Sequence, residues 1–560
     1  MMPRVNAPNP ALVTQRAAQR MPRVALLIFC AAYVLPGVFG RDPWRNADLS
    51  AFGYMLAIAE GRTPWLAPAL GGLPADAALM SNWLGALFIT ALGPWLGPAL
   101  AARVPFAILL ALALALTWYS TFLLARTEAA QPVAFAFGGE ADPVDYARAI
   151  ADAGVLALIA TLGLLQLGHE TTPELAQLCG IALFMYSLAA APYRVWRSRL
   201  AVLAALPMLA GSGAPTVALL AGLGGILICA RSGYEQVRTF ALWVAAAALA
   251  STLMAWGLGV WAWRIEIGRE PKLALLLARQ WLWFMWPTWP LALLTLWRWR
   301  RQLFNRHISA PLAVVVPALA ANIATGGSDR ALMLALPGLA VLAAFALPTL
   351  RRSAAAAIDW FSMIFCSVCA ITIWVIYVAM QTGVPAQPAA NVARLAPGFV
   401  PHFALLPLLW AAAGTLAWMW LVRWRTGRHR EAVWKSLVLP AGGVALCWLL
   451  LMTLWLPLLD YARSPRPLVA RVARHVPRGS CLATPGLGPT QVAALEYFGR
   501  YRVDARAGAA AGGCEWLLLE TRDGSAKLPA APAGWELVAR ERRPTDRDEV
   551  TSVFRRAPAS

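Results

Sequence analysis

Apolar runs long enough to cross a bilayer recur along this chain from Val24 to Pro457, with short polar links between most of them. A helix needs about twenty predominantly apolar residues to span the hydrocarbon, and a soluble domain has no core large enough to hide so many such runs. Hydrophobic residues fill 59% of the 560 positions and charged residues 14%, whereas soluble domains are about a quarter charged. The chain therefore reads as an α-helical polytopic membrane protein. No small-residue processing site follows the first run, Val24–Gly40, so that run reads as a retained span.

About thirteen spans are expected: residues 24–40, 103–125, 151–168, 175–192, 198–211, 214–230, 239–262, 280–297, 309–324, 331–349, 359–381, 402–422 and 436–457. The links alternate in character. One set is rich in Arg, with Arg16, Arg20 and Arg23, Arg126, Arg194 to Arg199, Arg298 to Arg306, Arg351 and Arg352, and Arg423 to Arg430. The other holds Asp42 and Asp48, His169, Glu170 and Glu174, Asp329, and the stretch 381–402. Basic loops stay on the cytoplasmic side, so the N-terminus is expected there and the acidic set outside, facing the periplasm of a bacterial inner membrane. The order holds only if Trp83–Leu96 lies along the interface instead of crossing; it is short, flanked by Gly93-Pro94 and Gly97-Pro98, and carries Trp95 at one end.

The net charge of +20 would point to nucleic acid in a soluble protein; here the Arg clusters sit between spans and set topology. Membrane lipids are the expected partner and nucleic acid is not. Only three basic residues are Lys, at 272, 435 and 527, so a phosphate ligand would be met mostly by Arg. An odd number of spans leaves residues 463–560 outside as a small periplasmic α/β domain after a transmembrane domain of residues 1–462. Short β-like runs at 481–484, 514–520, 535–540 and 550–554, with a helical stretch at 490–501, support that reading. Cys481 and Cys514 are the two Cys of this exported region and are expected to be bonded. It carries no nucleophile elbow, zinc-protease motif or Gly-rich phosphate loop. Cys366 and Cys369 lie inside a span without a second pair or a His, and read as small hydrophobes.

Three outward links carry residues capable of chemistry. The first places Asp42 and Asp48 directly after the first span, with Asp76 further on, and ionised carboxylates at a bilayer edge persist only against water or a partner. The second is His169-Glu170-Thr171-Thr172-Pro173-Glu174, in which Pro173 and Glu174 also suit a helix start. The third holds Arg264, Arg269 and Lys272 among Leu and Trp, an outward cationic group that suits a lipid phosphate.

Over most of residues 20–460 the chain resembles the polytopic type-C glycosyltransferases that use polyprenyl-phosphate sugars, the protein O-mannosyltransferases and aminoarabinose transferases. The resemblance rests on Asp42 and Asp48 followed by Phe52-Gly53-Tyr54, on Arg103-Val104-Pro105-Phe106, on Ala210 to Pro215, on Trp286-Pro287-Thr288-Trp289-Pro290, and on Ser328-Asp329-Arg330. It implies an inverting transfer of sugar from an undecaprenyl-phosphate carrier to a lipid A-like or protein acceptor at the periplasmic face. Asp48 is the first choice as base, with Asp42 and Glu170 next, and Arg330, Arg269, Lys272, Arg264 and His169 are the phosphate candidates. No cofactor is assigned, and a divalent metal ion is the one candidate. The chain departs from the family pattern at Leu49, where an acid is usual, at Ala77-Ala78-Leu79, which replaces Glu-Lys-Pro, and at Arg330, which replaces a lysine. A flippase of lipid-linked sugars is the competing class, but it would need charges near mid-membrane and internal repeats, and neither is seen. An inactive envelope-assembly paralogue is the other alternative.

The topology has a direct test. A reporter fused after Ala130 should behave as cytoplasmic and one fused after Glu170 as periplasmic; the reverse pattern overturns the assignment of every later loop.

Overall fold

The computed structural model describes residues 11–75, 78–135, 138–261, 271–427, 432–521, 532–546 and 549–557. Arg264, Arg269, Asp76 and the side chain of Lys272 lie outside the described residues. The chain is mostly helical and passes the membrane several times. Eight helices among the described residues are long and apolar enough to span: Leu79–Leu96, Pro98–Ala125, Pro173–Ala190, Glu235–Gly257, Arg306–Ala324, Arg352–Thr382, Leu405–Thr426 and Val433–Leu454. Trp83–Leu96, expected in the interface, is part of the first of these, which ends at Gly97 (φ +76°) before the chain turns straight into Pro98–Ala125.

Two compact units result. One comprises residues 1–37, 106–371 and 409–450, the other residues 38–105, 372–408 and 451–560.

In the first unit several expected spans are interrupted, and the breaks have chemical causes. The run 280–297 divides into Pro271–Phe284 and Thr288–Arg298, because Pro287 has no N–H to continue the ladder. The carbonyls freed at the break are taken by main-chain donors: Gly163 N–H donates to Phe284 O at 2.8 Å and Leu162 N–H to Trp286 O at 3.0 Å. Those donors come from the turn that ends Pro143–Ala160, so the run 151–168 is broken too, resuming only as Leu164–Leu167. That helix starts at Pro143, earlier than expected, because Asp142 caps it by accepting from Val144 and Asp145 N–H. Similarly, 331–349 becomes Asp329–Met333 and Leu336–Ala346. Asp152 receives Met21 N–H at 2.9 Å and Trp118 Nε1–H at 2.8 Å, which ties down the segment before the first span.

In the second unit the link after the first span packs on the C-terminal region. Helix Ala47–Ala59 crosses helix Pro489–Gly499 at Gly53, where a Cβ would lie 2.6 Å from that of Ala493, so only glycine permits the approach. Phe52 meets Tyr497 edge-on at 4.8 Å. The two-residue ladder Ala69–Leu70 with Leu73–Pro74 turns at Gly71 (φ +56°), whose carbonyl accepts Ala505 N–H at 2.8 Å. The C-terminal sheet has five strands in the order Arg502–Asp504, Cys481–Ala483, Trp516–Thr521, Val550–Arg556, Trp535–Arg542. The first two pairings are parallel and the last two antiparallel. Arg502–Asp504 has no apolar alternation and was not expected as a strand.

Cys481 and Cys514 form a disulfide with Cα atoms 5.0 Å apart, next to a core of Leu517, Trp535 and Phe554. Their separation of 33 residues corresponds to about 3–4 kcal/mol of loop-closure entropy. Cys481→Ser is expected to lower stability by roughly that order and to shorten the survival of the C-terminal region under limited proteolysis of the full chain; unchanged protease resistance would contradict it.

Candidate functional site

The acidic residues gather in two clusters, one in each unit. The expected span 24–40 is helical only over Arg23–Val34, shorter than the eight spanning helices, and in the second unit Gly40 (φ +72°) turns the chain that follows it. Asp48 then lies in the first turn of Ala47–Ala59, where a carboxylate suits the helix dipole. Its Oδ2 accepts Trp44 N–H at 3.0 Å and Arg41 Nη2–H at 3.3 Å. The side chains of Arg41 and Asp48 are 0% and 1% exposed. Arg41 lies over the Trp44 ring, as does Arg463, and Trp44 Nε1–H donates to Asp460 Oδ1 at 2.7 Å. Asp42 is held bidentately by Arg466, at 2.8 and 2.5 Å, and its N–H donates to Asp460 at 3.3 Å. Asp42, Asp48 and Asp460 thus share one lattice with Arg41, Arg463 and Arg466.

Asp460 is the member that sequence reasoning missed. It follows the last apolar run much as Asp42 follows the first, so the same rule, a carboxylate at the bilayer edge, would have found it. Burial pushes its carboxyl up from the ordinary 3.8 to about 6, against the Trp44 hydrogen bond and together with the Asp42 charge.

In the first unit Arg330 sits between two carboxylates. Its Nη2 lies 2.5 Å from Glu170 Oε2 and its Nη1 3.2 Å from Glu174 Oε2. Gln166 Nε2–H donates to Glu170 Oε1 at 3.0 Å. Ser328 caps the short helix Asp329–Met333 that presents Arg330, and the Ser328 carbonyl accepts from Asn322 Nδ2–H at 2.9 Å. Glu170 and Arg330 are brought together from distant links as ionisable groups needing partners. Glu174 serves both as the expected first-turn acid and as the second arm of this pair.

Arg330 therefore carries its charge already compensated, which differs from an open phosphate ligand. His169 also departs from the phosphate role expected of it. Its Nδ1 lies 2.7 Å from Leu165 O and its Nε2 2.8 Å from Tyr33 O, with the ring against Trp448 at 4.6 Å. Both nitrogens face main-chain carbonyls, which ties the ring to the helix Arg23–Val34 through Tyr33. Among the described residues no three His, Cys, Asp or Glu are grouped so as to hold a metal ion.

No protein-family model matches the sequence, and no curated protein does. Solved structures do match. ArnT from Cupriavidus metallidurans in the apo state superposes with a TM-score of 0.62 at 13% identity, over 95% of this chain and 96% of that one. The same protein bound to undecaprenyl phosphate gives 0.60 at 14% identity over the same shares. The chain has the ArnT fold. An archaeal oligosaccharyltransferase, AglB from Archaeoglobus fulgidus, is a looser likeness, with a TM-score of 0.44 at 11% identity over 89% of this chain and 68% of that one. Within the ArnT fold, this chain supplies one carboxylate lattice shortly after the apolar helix Arg23–Val34 and one Glu–Arg–Glu bracket in its helical unit.

The raised carboxyl gives a pH prediction. The folded value of Asp460 lies above the unfolded one, so its contribution is complete below about pH 4 and is lost as pH rises through about 6. Thermal melting in detergent should show this loss, and Asp460→Asn should flatten it; an identical pH profile for the variant would refute the assignment.

Proposed function

We propose that the chain transfers a sugar from an undecaprenyl-phosphate carrier to a cell-envelope acceptor at the periplasmic face of the bacterial inner membrane, with its N-terminus cytoplasmic and its C-terminus periplasmic. The observation that carries this reading is Asp48, held buried by the Arg41 guanidinium and the Trp44 main-chain N–H shortly after the first apolar helix of an ArnT fold. One structure of that fold is bound to undecaprenyl phosphate. A lipid A-like molecule is the favoured acceptor.

The chemistry asks little covalent work of the protein. The acceptor oxygen attacks the anomeric carbon from the face opposite the carrier and the bond from that carbon to the phosphate oxygen breaks. The phosphate leaves with the electron pair, and the acceptor proton passes to a carboxylate. This inverts the anomeric centre. Asp48 is the proposed base, since Arg41 and Trp44 N–H fix its orientation. Asp460 is a second carboxylate in the same lattice, and Asp42, gripped by Arg466, positions it. Glu170 and Arg330 are proposed to line the donor side, where Arg330 reaches phosphate by exchanging a carboxylate partner for it. Arg264, Arg269 and Lys272 are the further cations proposed for that side.

Asp48→Asn preserves shape and removes the base. It is expected to lower transfer to cell-envelope glycolipids, measured by mass spectrometry, by at least about a hundredfold, while the protein still inserts and melts cooperatively. Wild-type glycolipid profiles in that variant would overturn the enzyme reading in favour of an assembly role.

A further inference from the structure

A cavity of about 230 Å³ lies within the second unit, between the start of Ala47–Ala59, the segment after the last span and the C-terminal sheet. Asp42, Asp48 and Asp460 do not line it, so it is separate from the carboxylate lattice. Leu468, Val472, Leu487 and Leu518 make an apolar surface, and Arg45, Arg543, Glu520 and Glu549 a charged one.

Arg543 asks for a ligand. It is only 6% exposed, its Nη2–H donates to the Ala462 carbonyl, and its Nε has no hydrogen-bond partner among the described residues. Burial, together with the nearby charge of Arg45, holds its pKa down to about 10 against the opposing charges of Asp546 and Glu549. Two helix starts reach the same cavity, Asn46 before Ala47–Ala59 and Thr490 in the first turn of Pro489–Gly499. Neither helix is closed by a side-chain cap at its N-cap residue, so both turn the positive end of a helix dipole to the cavity, although Pro489 has no N–H and Gln491 N–H already donates to Gly488 O at 3.1 Å.

A simple anion would fit that half of the cavity and be repelled by the other. Two Arg face two Glu across the cavity, and Arg45 is paired with Asp546 at 3.1 Å, behind the lining, and with Glu549 at 3.8 Å. A ligand complementary to the whole surface bears one negative and one positive group beside a short apolar body. We propose that this cavity binds a small zwitterion, its anionic group against Arg543 and the two helix starts, its ammonium against Glu520 and Glu549, and its apolar part over Leu487 and Leu518. Two sources share this chemistry: a free aliphatic amino acid, and the phosphoethanolamine head of a membrane lipid.

The test uses the full chain in detergent and isothermal titration with leucine and with glycerophosphoethanolamine, against inorganic phosphate and butylamine as half-charged controls. Saturable binding of either zwitterion, at least about tenfold tighter than both controls, is expected, and the one that binds identifies the source. Ala494→Phe, which fills the cavity, should abolish it. Glu549→Gln, at a partly exposed position, should weaken it about tenfold with the unliganded melting temperature unchanged, which keeps the test valid if the Phe variant misfolds. No saturation by either zwitterion in the millimolar range, equal binding of phosphate or butylamine, or full affinity in Glu549→Gln overturns the proposal.

Discussion

Arg41 and Asp48 form an ion pair with essentially no solvent contact, and the second unit is arranged around the cost of that burial. Each buried charge forfeits several kcal/mol of hydration, and removing one partner of such a pair typically costs about 3–5 kcal/mol. The pair survives because its surroundings supply further partners: Trp44 donates its N–H to Asp48 and its ring face to Arg41. The indole N–H of the same Trp reaches Asp460, beyond the last span. The beginning and the end of the membrane region are thereby defined by each other. Arg45 and Asn46 follow immediately, and their main chain is fixed by Arg463 O and Thr490 Oγ, so the geometry of the zwitterion cavity descends from the same turn.

The two acidic clusters differ in electrostatic style. Asp48 is committed to one short-range geometry with little water, which suits the base role proposed for it. Glu170, Glu174 and Arg330 are partly exposed on two of three members, and a three-body bracket of this kind can trade one partner for an incoming phosphate at modest cost. A pair locked as tightly as Arg41 and Asp48 could not. The division of labour proposed for transfer follows that contrast in burial.

Much of the architecture was legible in the residues. Hydropathy marks the runs because lipid admits little else, and alternation of Arg-rich and acidic links separates them into two sets. The C-terminal strands Trp516–Thr521 and Val550–Arg556 were visible as short runs rich in Leu and in Val, Thr and Phe, whereas Arg502–Asp504, a single Val between charged residues, takes its form from pairing with Cys481–Ala483. The interruptions at 161–163 and 285–287 were not legible from hydropathy, since an apolar average is blind to a missing N–H. Among the site residues, Asp42, Asp48 and Glu170 stood out by charge beside apolar runs, and Arg330 through the family resemblance. Their partners did not: Arg466 and Asp460 are more than 400 positions from Asp42, and only folding brings them there. The two main-chain carbonyls that face the His169 ring nitrogens, at Leu165 and Tyr33, are likewise set by folding and not by residue type.

The splice at Trp286-Pro287 has a consequence for how such a fold persists. Both bonds that close it, from Leu162 and Gly163, run between main-chain atoms, and a main-chain bond places no demand on the side chain that accompanies it. Two positions are constrained, Pro287 by the break it makes and Gly163 because a Cβ there would strike the Phe284 ring; the two closing bonds ask nothing of the side chains at the other positions. Architecture assembled from joints of this sort can outlast recognisable sequence, remaining superposable long after its letters have been rewritten.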